Sequence, residues 1–228
     1  MTNKKVSFVA SMPRPSRNID QVLLASGRRL FPEHGCAGLS LRRLAAHAQV
    51  NVGMFHYHFQ SKDNFLRVLL QQMYDELFLQ LQAQVAQGGT AIQRVRQALC
   101  LLGRLMCEHG AWLGRVWSDA GQQEPVALQF LQNNGSRHVL LLLGLLEQAA
   151  QEGDLVPMAP MQRFTFLMGA VVAPMLIAPR AIQLGIAPPQ LSVQVQADVL
   201  SDHGIAERVD RALAALTTPH KELQHGQT

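Results

Sequence analysis

The sequence predicts an all-α fold in two helical parts, and three observations predict it. Apolar residues recur three and four positions apart in segment after segment of the 228-residue chain. Ser and Asn caps and Gly or Pro stops separate those segments. The charge also divides: residues 1–67 hold ten Lys/Arg against three Asp/Glu, a net of +7, and residues 68–228 hold ten against thirteen, a net of −3. A basic amino-terminal third on a slightly acidic remainder is the footprint of a polyanion-binding module attached to another unit.

Along the chain, residues 1–16 carry Lys4, Lys5 and Arg14 with no apolar period and read as a flexible basic arm. Asn18 or Ser16 caps a first helix whose Ile19, Val22, Leu23, Leu30 and Phe31 fall on one side, and Pro32 and Gly35 are expected to stop it. Ser40 caps the second helix, in which Leu41, Leu44, Ala45 and Ala48 form the buried stripe. Arg42, Arg43 and His47 lie off that stripe. Gln49 and Val50 turn the chain, and Asn51 caps a short third helix from Val52 to His58. Ser61 caps a fourth helix with Leu66, Leu69, Leu70, Met73, Leu77 and Leu81 along one side, ended by Gly88-Gly89.

The stretch LSLRRLAAHAQVNVGMFHYHFQSKDNF, residues 39–65, is therefore a helix-turn-helix, a shape whose second helix fits the major groove of DNA. Gly53 beside the cap lets the amino end of that helix approach a duplex closely, and its free N–H groups attract phosphate. Phe55 and Phe59 read as core, while Tyr57 is either core edge or phosphate contact. His56 and His58, two residues apart, point to different helix faces and so do not read as a metal pair.

These residues resemble the TetR/AcrR family of one-component transcriptional regulators. The likeness covers residues 17–77 and rests on S-x-R-x-L-A, a turn valine, a glycine in the recognition helix, an aromatic-His-aromatic close and S-K-D. It implies an all-α fold with a DNA-binding domain at 17–77, a helical effector-binding and dimerisation domain at 78–217, and a polar tail at 218–228. It also implies a homodimer on near-palindromic double-stranded DNA, a small-molecule effector and repression rather than activation. By the resemblance, Arg42 reaches a base or phosphate, and Arg43 lies beside it. Asn51, Val52, Gly53 and Met54 stand at the base-facing start of the recognition helix. His56, Tyr57, His58 and Lys62 lie along backbone phosphates. The family commonly has Gly where Gln49 stands and hydrogen-bonding residues near Val52 and Met54, so base reading here is expected through apolar contact, as with thymine methyl groups.

Beyond residue 88 the reading is of helices alone. Ile92, Val95, Leu99, Leu102 and Met106 form one stripe, ended near Gly110. Pro125 opens another helix, with an interruption at Asn133-Asn134-Gly135 left open and a stop at Gly153-Asp154. Residues 139–146 contain six leucines and are apolar all round. A helix follows at 160–177, then irregular chain at 179–201 and a final helix at 204–216. Two neighbouring helices without a polar face need outside cover, so residues 136–152 and 160–178 are expected to form a twofold four-helix bundle between subunits. Met106, Trp112, Trp117, Phe164, Met168 and Met175 are candidate linings of an effector pocket. Arg115, Glu108, His109 or Asp119 would fix a polar head.

Several classes are excluded or left behind. No G-x-S-x-G, HExxH, CxxC pair or phosphate loop occurs, so neither an enzyme nor a cofactor or metal site is expected. Cys36, Cys100 and Cys107 make no disulfide framework, and MTNKKVSF leads into no apolar signal core, which points to the cytoplasm. The longest apolar stretch, 164–179, contains Pro174 and is short for a membrane span, so a buried helix is expected there. The rival to a DNA reader is a helical protein-interaction module with residual non-specific DNA binding.

Overall fold

The computed structural model describes residues 18–186 and 188–217. The basic arm at 1–16, Ser16 with it, and the tail at 218–228 lie outside the described residues. Among those described, the chain is helical throughout, with one isolated antiparallel bridge between Leu155 and Thr217. The helices are α1 (Ile19–Gly38), α2 (Leu41–Ala48), α3 (Val52–Phe59), α4 (Lys62–Val85), α5 (Ala91–Gly121), α6 (Pro125–Gln151), α7 (Pro160–Leu167), α8 (Ala173–Gln183), α9 (Pro189–Val195) and α10 (Asp202–Ala214).

Two cores stack along α4, α5 and α6, which run up, down and up. The first core joins α1–α3 to most of α4 (Phe65 to Phe78), the far end of α5 (Trp112, Val116, Ala120) and the near end of α6 (Val126, Ala127, Phe130). The second joins the start of α5 to the far end of α6, α7, α8 and α10. Leu101, Met106 and Leu141 pack against both, so the two cores are continuous. Charged staples fix the antiparallel pairs. Glu152 Oε2 at the end of α6 accepts the Ala91 N–H that opens α5, at 2.9 Å. Arg96 of α5 grips Asp210 of α10 in two hydrogen bonds of 2.5 and 2.8 Å, which holds that carboxyl below its ordinary range. Between α4 and α6, Gln71, Asn134, Asp75 and Arg137 form one hydrogen-bonded seam, with the Arg137 guanidinium 4.3 Å from the Phe78 ring centre. Tyr74 donates from its hydroxyl to the Asn134 carbonyl at 3.0 Å.

Several expected boundaries move. α1 runs past Pro32 and bends only at Gly35, because Phe31 and Cys36 on either side are fully buried and hold the chain in place. Val22 is exposed and Leu24 takes its place in the core. Asn18 stands at the cap without a side-chain bond. α5 continues through Gly110 because Trp112, Val116 and Ala120, spaced by four, bury one face. α6 is unbroken at 133–135: the Asn134 amide donates to Gln71 Oε1 and Phe130 O instead of competing for its own backbone. α7 and α8 are joined by one turn of π-helix, Met168–Val172, just before Pro174, which has no N–H for the regular ladder. The chain stays helical to Gln183, and the expected irregular stretch contains α9 and a second π-turn at Gln196–Leu200.

The expectation of a buried helix at 164–179 is met on one side only. Phe164, Leu167, Val171 and Met175 face the core, but the segment Pro160–Gln183 has only 17% of its most apolar window buried and is long and apolar enough to cross a membrane by length and composition. Met161, Phe166, Leu176 and Ile177 project outward, as does Leu140 of α6.

Phe65 sits at the centre of the first core with no exposed surface. Phe65→Ala is expected to cost about 3–5 kcal/mol in urea unfolding, whereas Leu79→Ala on the exposed side of the same helix stays within about 0.5 kcal/mol. A second outcome concerns alkali. Burial, helped by the Asp119 carboxylate, pushes the Cys36 thiol up to about 12 from 9.0. The folded chain keeps that proton after the unfolded chain has lost it, so this thiol lowers stability as pH climbs from 9 towards 12. Unfolding midpoints in reducing buffer at about pH 8 and about pH 10.5 are expected to fall further for the unaltered chain than for Cys36→Ala.

Candidate nucleic-acid interface

The helix-turn-helix is built by caps at each junction. Ser40 Oγ accepts the Arg43 N–H at 3.3 Å and starts α2. α2 stops where Gln49 turns left-handed, with φ 55° and ψ 39°, a conformation glycine takes at no cost and glutamine at about 1 kcal/mol. The Val50 N–H donates to Ala45 O at 3.0 Å and closes the turn. Asn51 Oδ1 accepts the Gly53 N–H at 2.8 Å and starts α3. Ser61 Oγ accepts the Asn64 N–H at 3.1 Å and starts α4.

α3 is pinned by its aromatic side. Phe55 is fully buried, and its ring centre lies 5.4 Å from that of Phe65. Phe59 meets Phe65 edge to face at 4.9 Å. This anchoring turns the remaining side chains outward. Gly53, His56 and Tyr57 are exposed, and Val52, Met54 and His58 are half-buried. Tyr57 is 77% exposed, which excludes the core-edge reading. His56 Nδ1 lies 3.3 Å from Gln60 O at the carboxy end of α3. The His58 ring stands edge-on to Tyr57, and its Nε2 is enclosed without a partner. On α2, Arg42, Arg43 and His47 are exposed. From Leu39 to Lys62 the chain contains no Asp or Glu, so no carboxylate of this unit opposes an approaching phosphate.

Lys62, the expected phosphate contact, also has a partner within the chain. It is half-buried, and its Nζ donates to Ala37 O at 2.9 Å, a cation on the last carbonyls of α1. One of its three donors is thereby committed.

The candidate pocket residues do not all converge: Met106, Phe164, Met168 and Met175 lie in or against the second core, whereas Trp112, Arg115 and Trp117 lie away from it. Trp112 packs on Phe130 in the first core and Phe164 lies in the second. Met106 sits between the cores, and Met168 lines the second from its edge. Trp117 is 65% exposed. Arg115 is paired with Asp119 at 2.9 Å, beside α1. An open groove of about 700 Å³ lies elsewhere, between α4 and α6, along Arg67, Gln71, Asp75, Phe130 and Asn134. Among the described residues no cluster of His, Cys, Asp and Glu is arranged to hold a metal ion. The contact between Asp119 and the bend of α1 was invisible in the sequence, because its partner is a backbone N–H 83 residues away. The faint signal was an acid four residues after an arginine on a helix otherwise closed by apolar residues.

Residues 23–69 match the family model for bacterial regulatory proteins, tetR family. The HTH-type transcriptional repressor NemR of Escherichia coli (strain K12) is 29% identical over 150 residues, 57% of this chain and 75% of the relative. The HTH-type transcriptional repressor Rv3405c of Mycobacterium tuberculosis is 30% identical over 77 residues, 34% of this chain and 41% of that protein. Among solved structures, the ketosteroid transcriptional regulator KstR2 of Mycobacterium tuberculosis superposes with a TM-score of 0.65 at 17% identity, over 90% of this chain and 98% of that one. The reduced form of Escherichia coli NemR superposes with a TM-score of 0.59 at 20% identity, over 86% of this chain and 95% of that one. The likeness of fold thus spans both cores, while the match to the family model for bacterial regulatory proteins, tetR family, covers the helix-turn-helix and its flanking helices, residues 23–69.

Proposed function

We propose that the protein is a homodimeric, ligand-responsive transcriptional repressor that acts in the cytoplasm on a near-palindromic operator. The observation that carries this reading is the α2–turn–α3 unit: an acid-free basic surface, with α3 held by its aromatic side and its cap, glycine and Tyr57 turned outward. Arg42, Arg43, Tyr57, His56, His58 and the spare donors of Lys62 supply phosphate contacts, which give affinity and salt dependence. Asn51, Val52, Gly53 and Met54 present the base-facing edge, with Val52 and Met54 selecting by apolar contact.

Two such units per dimer read successive major grooves roughly 34 Å apart. The apolar outer surface of α7 and α8, together with Leu140 of α6, is the face that a second copy covers. It extends the expected 160–178 segment to Leu184 and Ile186. In this reading residues 17–77 read DNA and 78–217 carry dimerisation and effector binding, with the first core packing the two parts together. α4 runs unbroken across that boundary, carrying Lys62 at one end and lining the open groove further along. An effector that displaces α4 from α6 therefore alters the spacing of the reading units. It must favour one state by about 2–5 kcal/mol to act as a switch.

The test is selection of bound fragments from random and genomic DNA, with the preferred site then titrated at several salt concentrations. An enriched near-palindrome is the expected result. Salt-sensitive binding without an enriched site contradicts the reading and leaves a helical interaction module with a basic surface. On the enriched site, Lys62→Ala is expected to weaken selected and random duplexes alike and to lower the salt slope by about one unit. Arg42→Ala and Met54→Ala change sequence preference more than slope. Equal effects of all three on both duplexes contradict the base-reading roles.

A further inference from the structure

Asp119, on the last turn of α5, is a carboxylate with only 3% of its surface exposed. Its Oδ2 accepts the Cys36 backbone N–H at 2.7 Å. Its Oδ1 lies 2.9 Å from Arg115 Nε, one turn earlier on α5, and Arg115 Nη2 donates to His34 O at 3.2 Å. These two backbone groups flank Gly35, whose φ of 63° and ψ of −168° belong to a region that essentially only glycine enters. The bend takes the Cys36 N–H out of the α1 ladder and turns it towards α5. A Cβ at Gly35 would run into the Arg115 guanidinium and come within 2.6 Å of Asp119 Oδ2, so the glycine is required twice over. One residue further on, Ala37 O is held by Lys62 of α4. α1 then passes through Leu39, 1% exposed, directly into the cap of α2.

We propose that Arg115 and Asp119 form a latch that sets the angle of the helix-turn-helix on the α4–α6 body, with the backbone of residues 34–36 as its catch. Both are positioning residues: they grip the carbonyl and N–H on either side of the α1 bend and touch no DNA. With the latch shut, α2 and α3 keep one orientation, and the two reading units of a dimer keep one spacing. With it open, the units still fold around Phe55, Phe59 and Phe65 but swing relative to α5. The exposed part of the Arg115 side chain, about a third, lets the latch open without disrupting either core.

The inference rests on the DNA-reading proposal, and its test separates the two. Arg115→Gln is prepared in the full chain, with Asp119→Asn, which keeps the side-chain size and one acceptor for the Cys36 N–H, as the second variant. Hydrogen exchange at residues 34–38, thermal midpoint, and affinities for the selected duplex and for a duplex with one half-site are measured. The expected result is faster exchange at 34–38 and an affinity loss of about tenfold for the two-half-site duplex, within the usual range for coupled sites. Affinity for the single half-site is expected to stay within about twofold, since the reading unit itself is intact. Equal losses on both duplexes, unchanged exchange, or failure of both variants to fold would overturn the latch. If the unaltered chain does not distinguish selected from random DNA, the DNA-reading proposal fails instead, and the exchange rates alone decide whether the bend is held.

Discussion

The contact of Phe55 and Phe59 with Phe65 is the interaction on which the reading surface depends. An eight-residue helix has too few internal hydrogen bonds to persist alone. α3 exists because its two phenylalanines enter the first core and meet a third from α4, at ring distances of 5.4 and 4.9 Å. Each contact contributes burial plus a modest geometric preference, about 0.5–1.5 kcal/mol beyond area. Their larger consequence is directional. Once positions 55 and 59 point inward, the 3.6-residue period obliges 53, 56 and 57 to point out. The exposed row of Gly53, His56 and Tyr57 is thus dictated by the core.

α5 conveys that placement to the rest of the molecule. It is a 31-residue helix whose start packs in the second core and whose end packs in the first. At its far end the buried Asp119 carboxylate is satisfied by a backbone N–H and a guanidinium. A buried carboxylate without such partners would be far more costly than either contact is favourable. The position of the α1 bend is therefore tied to α5, and so to the helices that carry the outward apolar face. The same carboxylate helps keep Cys36 protonated, so that thiol is a structural group and not a nucleophile.

Much of this was legible in the sequence, for local reasons. Ser40, Asn51 and Ser61 announce three helix starts because a side-chain oxygen two or three residues before a free N–H is a short-range device. The inward set of α2 and α3 followed from spacing. Stops were read unevenly: Gly88-Gly89 and Gly153-Asp154 do follow helix ends, but others do not. Pro32 and Gly110 lie inside helices, since burial of Phe31 and Val116 outweighs a local preference of about 1–3 kcal/mol, and the interruption left open at Asn133-Asn134-Gly135 is absent. Gly35 was read as a stop and is instead a bend whose reason lies on another helix. Lys62 was read as a phosphate contact, and its bond to the end of α1 is a contact across 25 residues that no local pattern encodes. Among the expected pocket residues, Met106 and Trp117 are eleven positions apart on α5, about 16 Å along its axis, and end in different surroundings.

The most direct measurement is hydroxyl-radical footprinting of the selected duplex. The account predicts two protected patches on one face of the DNA, about one helical turn apart, both lost when Tyr57 and Arg42 are replaced by alanine. A single patch, protection spread evenly along the duplex, or a footprint unchanged by those replacements would contradict it.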